Sequence, residues 1–214
     1  MIDKMNESSY RKDLRERIII KACDSFRKNG IKKVTMDEIA ASLGISKRTL
    51  YEIYKDKETL LIEIILYNRE KDRVLIEQIC KESTNVLEII LHYLSESIKF
   101  LQNTNKQLFS DLKKYPKAYS VLIENKEKES KQKIEFYKSG VDQGLFREDV
   151  NFEILTLLVE EQFDLLLNTD ICGAYSFVEV FESIFFTFIR GIATEKGAKV
   201  LEDFLKEYRK QNVA

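Results

Sequence analysis

The residues with the most pointed chemistry are Ser46-Lys47-Arg48-Thr49, which open a short run, Leu50-Tyr51-Glu52-Ile53-Tyr54, of helical apolar spacing. A helix N-terminus carries partial positive charge, so acids are favoured there and cations are mildly destabilising. Two cations at that end make sense where an anion is due to arrive. Lys and Arg in the first turn of a helix can enter the major groove of a duplex and bond guanine O6 and N7. An ordinary helical hairpin would explain the apolar positions and the nearby Gly44, but not this charge. The segment therefore points to double-stranded DNA as a partner.

Such a helix must be held by its neighbours. Thr35-Met36-Asp37-Glu38 reads as a capping box, with the Thr35 hydroxyl covering the Glu38 amide and the Glu38 carboxylate reaching back. It opens a helix over 36–43 that Gly44 ends. Ser46 then caps a helix running to about 54, and Asp56 caps a fourth. Two helices joined by so short a turn need a small residue at their contact and a Gly at the turn, here Ala40 and Gly44. Ile39, Leu43, Ile45, Leu50 and Ile53 fall where a shared mini-core requires them. Upstream, Leu14, Ile18, Ile19, Ala22 and Phe26 form the stripe of a first helix over about 9–29, stopped by Gly30.

A single Pro and seven Gly in 214 residues leave few tight turns, and the apolar period stays helical throughout, which predicts an all-α fold of about nine helices. Further helices are expected at 86–101, 117–138, 152–168 and 176–191. A short piece ends at Tyr115-Pro116, a turn is bracketed by Gly140 and Gly144, and an amphipathic tail covers 198–208. Residues 1–60 hold 14 Lys and Arg against 10 Asp and Glu, a net of +4, and the remainder holds 21 against 26. A basic head on an acidic body suits a head that meets phosphate.

Other function classes find little support. The three cysteines (Cys23, Cys80, Cys172) have no metal or disulfide spacing and suit a reducing, cytoplasmic setting. There is one histidine, no Gly-rich phosphate loop and no nucleophile elbow, so neither an enzyme nor a metal or cofactor is expected. No run approaches the ~20 apolar residues of a membrane span, and the first 17 residues lack a secretory apolar stretch. An architectural DNA-binding role differs from a promoter-specific one in its binding at many non-promoter sites.

Phe177, Val178, Val180, Phe181, Ile184, Phe185, Phe186, Phe188 and Ile189 cover nearly the whole circumference of their helix, which must then be buried on all sides. The preceding helix is similarly rich. A two-fold homodimer with a four-helix interface would bury both, through Phe152, Leu155, Val159, Phe163, Phe177, Phe181, Ile184, Phe185 and Phe188. Two-fold symmetry predicts a pseudo-palindromic operator with half-sites one helical turn, roughly 34 Å, apart.

Residues 17–61 resemble the N-terminal domain of the TetR family of bacterial regulators. The likeness lies in the stripe of the first helix, the Thr-capped second helix, and Ser46-Lys47-Arg48-Thr49-Leu50-Tyr51 followed by Tyr54-Lys55-Asp56-Lys57-Glu58-Thr59-Leu60-Leu61. A weaker likeness covers Gly140 to Asn151, the link into the penultimate helix. The resemblance implies a three-helix helix-turn-helix DNA-binding domain over 11–71 (the motif itself at 35–54, the fourth helix continuing into the body) and a ligand-binding and dimerisation domain over 72–214. It also implies a regulator, here read as a repressor, released from its operator by a small molecule. At the matched positions the DNA-binding set is Thr35, Ser46, Lys47, Arg48, Thr49, Tyr51, Glu52, Tyr54, Lys55 and Lys57. Thr35, Thr49, Tyr51, Tyr54, Lys55 and Lys57 are expected to contact phosphate, Lys47, Arg48 and Glu52 to reach base edges, and Ser46 to cap the helix, and Tyr51 has a thymine methyl as a further contact. Tyr51 and Tyr54 have core packing as the alternative. The family often has Gly where this chain has Arg48, whose contact is to a base or to a phosphate. A ligand pocket among helices four to eight would draw on Phe100, Phe109, Tyr115, Tyr119, Phe136, Tyr137 and Phe163, each with core packing as the alternative. His92 reads as a core residue. Glu160 or Glu161 either faces the pocket or is solvated.

Overall fold

The computed structural model describes the backbone at residues 2–168 and 174–212, and side chains at 10–124, 132–162 and 174–210. The described chain is all α. Its helices are α1 (Ile2–Asn29), α2 (Met36–Ser42), α3 (Lys47–Ile53), α4 (Lys57–Glu82), α5 (Val86–Gln102), α6 (Gln107–Leu112), α7 (Pro116–Asp142), α8 (Phe152–Asn168), α9 (Phe177–Ile192) and α10 (Glu195–Asn212). Two compact units emerge: Met1–Asp72 with Asn103–Glu124, and Arg73–Gln102 with Asn125–Ala214.

The first unit closes over one core. Leu14, Ile18, Ala22 and Phe26 of α1 meet Ile39 and Ala40 of α2, Leu50 of α3, and Leu60, Leu61 and Ile64 of α4. Leu108, Leu112 and Tyr115, remote in sequence, pack against the same core, and Ala118 of α7 is buried in it. Polar contacts fix this return of the chain. Asn105 donates its N–H to the Arg27 carbonyl (2.8 Å), satisfying one of the acceptors that a helix end leaves open. Asp111 is 3% exposed; its Oδ2 accepts the Lys32 N–H at 2.8 Å and its Oδ1 the Lys114 ammonium at 2.9 Å. Gly30, at φ +82°, passes so close that a Cβ there would lie 3.2 Å from Asp111 Oδ2. Glu58 accepts the Lys117 N–H at 2.8 Å, in the first turn of α7.

In the second unit, α5 packs on α9 and α10, and α8 on α9. Leu87, Leu91, Ile98, Phe146, Phe152, Phe181, Ile189 and Leu205 are among its buried residues. The links into α8 and out of α9 are clasped together: Arg147 N–H donates to the Ile192 carbonyl (2.9 Å) and Thr194 N–H to the Leu145 carbonyl (3.0 Å).

Three expected boundaries shift. α1 begins at Ile2 rather than near Ser9, because Ser8-Ser9 offers a cap but no break. Gly140 lies inside α7 and does not bracket the turn; it is small because the Phe146 ring rests against its Cα, where a Cβ would clash. Gly144, at φ +69°, supplies the left-handed turn. The tail is a full helix, α10, of 18 residues.

Candidate nucleic-acid interface

The α2–α3 corner is made by a specific set of backbone bonds. Gly44, at φ +65°, donates to the Ala41 carbonyl (3.1 Å), and Ile45 N–H to the Ala40 carbonyl (3.1 Å). This is the Schellman pattern that closes a helix through a left-handed glycine. Ahead of the corner the Thr35 capping box is complete: Glu38 N–H donates to Thr35 Oγ1 (3.2 Å) and Thr35 N–H to Glu38 Oε2 (2.7 Å). The Thr35 hydroxyl also donates to that carboxylate (2.9 Å), so it is committed within the protein. Beyond the corner, Ser46 Oγ accepts the Thr49 N–H at 3.0 Å and lies 2.8 Å from the Thr49 hydroxyl. Leu50 is wholly buried. One face of the seven-residue α3 is therefore anchored, and Lys47, Arg48, Tyr51 and Glu52 stand out from the other.

Both cations on that face have partners that charge counting had not supplied. The Lys47 ammonium donates to Asp37 of α2 at 2.5 Å, and Arg48 Nε donates to Glu52 at 2.8 Å. Those hydrogen bonds hold both groups above their ordinary pKa values, so both stay charged. The Arg48–Glu52 spacing of four was legible as a helix pair. The Asp37 partner lies ten residues upstream on another helix and had no sequence signal. Glu52, expected at a base edge, pairs with Arg48.

The expected phosphate contacts divide. Tyr51 is 47% exposed, Lys55 is exposed, and Thr49 is half-buried. Tyr54 is 1% exposed and its hydroxyl is buried without a hydrogen bond, so it is a core residue and the phosphate contact expected of it is corrected. Burial, then the nearby Glu63, pushes its phenol pKa up, so it stays neutral. Lys57 is half-buried, with Nζ donating to the Ile31 carbonyl (2.9 Å) and standing over the Phe26 ring, and burial lowers its pKa.

A model of bacterial regulatory proteins of the TetR family matches residues 18–64, the span that holds this corner and its supports. This segment is a TetR-family N-terminal region. It is 36% identical over 85 residues to the HTH-type transcriptional regulator YvaF of Bacillus subtilis, covering 38% of this chain and 43% of that one. It is 25% identical over 159 residues to the HTH-type transcriptional repressor KstR2 of Mycolicibacterium smegmatis, covering 69% of this chain and 74% of that one. Among solved structures, a transcriptional regulator from Saccharomonospora viridis in complex with choline superposes with a TM-score of 0.69 at 17% identity, over 86% of this chain and all of that one. One from Cytophaga hutchinsonii gives 0.64 at 24% identity, over 84% and 98%. At such identities these two likenesses establish the fold.

In the body of the chain the expected ligand residues fall in two places. Tyr115 packs on the core of the first unit, where Phe109 and Tyr119 also belong. Phe136 and Tyr137 pack on the core of the second, where Phe100 is 42% exposed. Tyr137 stacks on Phe152 with ring centroids 5.4 Å apart. Phe163 lies outside the described side chains and Cys172 outside the described residues. Glu160 Oε1 is buried without a hydrogen bond, 3.6 Å from the Lys133 ammonium. His92 is exposed, its Nδ1 3.3 Å from the Ser83 hydroxyl, rather than a core residue. No described group of His, Cys, Asp and Glu is arranged to hold a metal, and no described helix is long and apolar enough to cross a membrane.

The residues expected at a dimer face also divide. Phe152 and Phe181 are buried in the chain's own core, with Leu155, Phe177 and Phe185 against it; they serve to hold α8 and α9 in place. Among the described side chains of α8, the outward apolar ones are Ile154, Leu157 and Leu158, exposed by 55, 63 and 51%. Ile184, Phe188 and Val159 are half-buried.

Proposed function

We propose that the chain is a dimeric, cytoplasmic repressor that reads a pseudo-palindromic operator with α3 and leaves it when a small molecule binds the body. In this reading residues 11–71 hold the DNA-binding head and 72–214 the ligand and dimer functions. One observation carries the DNA half: Lys47, Arg48 and Tyr51 stand exposed on a short helix whose other face is anchored by Leu50, the Ser46 cap and the Gly44 corner. On meeting a duplex, Lys47 and Arg48 exchange Asp37 and Glu52 for guanine edges or phosphates. The outward Ile154, Leu157 and Leu158, with Ile184 and Phe188, support a two-fold pairing of α8 and α9, since an exposed apolar patch of this kind marks an association surface. The repressor KstR2 and the choline-bound neighbour support repression and a small-molecule effector.

The test is a footprint on DNA upstream of the chain's own gene, repeated over a range of salt, followed by binding of the Lys47→Ala, Arg48→Ala double variant. A single protected palindrome should appear, with affinity falling steeply as salt rises. Selective binding that survives the double variant in a folded protein would refute the reading.

A further inference from the structure

The interface just proposed ends at α3 and the start of α4, yet α1 continues the charge. Along α1, Phe26, Ala22, Ile19 and Arg15 lie on one line, at spacings of four, three and four residues, with Arg11 one turn further on. The first three are buried at 1, 0 and 7% exposure, whereas Arg15 and Arg11 are exposed. The line that builds the core thus emerges from it as a cationic one.

Its place is fixed by Tyr54. The Arg15 guanidinium lies 5.8 Å from the centroid of the Tyr54 ring, and Tyr54 is the residue that ends α3. Lys55, exposed, follows directly. Lys47 and Arg48 are paired with acids, but neither Arg15 nor Arg11 makes an ion pair with a described residue. Glu63 acts on the same tyrosine without pairing to Arg15. A guanidinium over an aromatic ring at the far end of a reading helix, with no ion pair among the described residues, is pre-set to take an anion, because the ring limits the freedom of its stem and leaves its planar donors open.

We infer that Arg15, with Arg11 beside it, binds backbone phosphates flanking the bases that α3 reads, so that α1 forms part of the DNA interface. This rests on the operator-binding reading above and assigns the contact to phosphate, which adds affinity without sequence preference.

The test uses the full chain with its footprinted operator and a scrambled duplex of equal length, by fluorescence anisotropy over a range of salt. Arg15→Gln should weaken both complexes by the same factor and flatten the slope of log K against log salt by about 0.9 for each lost phosphate contact. Arg15→Lys should restore the slope. A loss of affinity with the slope unchanged would overturn the inference, because it would mean that Arg15 only supports Tyr54; unchanged affinity would overturn it as well. Should Arg15→Gln fail to fold, Arg11→Gln is read by the same slope and decides in the same way. If wild type shows no preference for the operator over the scrambled duplex, the operator reading itself has failed, a result distinct from any of these.

Discussion

Removing the Asp111 carboxylate should loosen the DNA-binding unit by an amount that the surroundings of Asp111 allow to be worked out. In Asp111→Ala the Lys32 N–H loses its 2.8 Å acceptor, and the Lys114 ammonium loses a partner that it meets from a largely exposed position. The Lys32 N–H sits in a part-buried bond, and leaving it without its acceptor costs about 1–3 kcal/mol at most, to which a pair with one exposed partner adds up to about 1 kcal/mol. A total of about 1–4 kcal/mol corresponds to a Tm lower by about 2–16 °C for a chain of this length. Asp111→Asn keeps an acceptor and should lose less. Burial opposes ionisation of Asp111, but the Lys32 N–H and the Lys114 ammonium outweigh it and hold its pKa below the ordinary 3.8. The folded pKa is thus the lower of the two, so the carboxylate's contribution is complete above about pH 4, the unfolded range, and is lost as pH falls through the folded value. Thermal melts followed by circular dichroism at neutral pH and in steps below pH 4 measure both effects. A neutral-pH Tm for Asp111→Ala within error of wild type, or a wild-type advantage over Asp111→Asn that fails to shrink in acid, would refute the reasoning.

Three other outcomes follow from the same geometry. Gly140→Ala forces a methyl into the buried Phe146 ring and should cost about 1–3 kcal/mol, read from urea unfolding. Gly44→Ala meets open space but keeps φ +65°, so strain alone should cost about 1–2 kcal/mol, with binding to the operator weakened as the corner distorts. Leu157→Lys should leave the monomer folded, because the side chain is 63% exposed, and should shift sedimentation from dimer to monomer.

Local signals were legible because they are written in neighbouring residues. The Thr35–Glu38 box, the Gly44 corner and the Ser46 cap all appear where the sequence placed them. So did Asp56, which caps α4 by accepting the Thr59 N–H at 2.7 Å. The rest depended on contacts between distant residues. Nothing around Asp111 shows that it returns to the α1–α2 turn, 79 residues away in sequence. For Tyr54 the resemblance implied a phosphate contact with core packing as the alternative, and packing with Leu50 and the α1 stripe decides for the core. On α9 an apolar circumference did not say which residues face outward, because two neighbouring helices, α5 and α8, already cover much of it.

Pairing Lys47 with Asp37 and Arg48 with Glu52 makes the protein its own competitor for the groove. In the operator reading proposed above, any stretch of duplex must first displace two acids that the head carries with it, and only a sequence offering acceptors in the right places replaces those bonds in full. On that reading the head would be held loosely along random DNA, free to search, and its grip would tighten where the bases match.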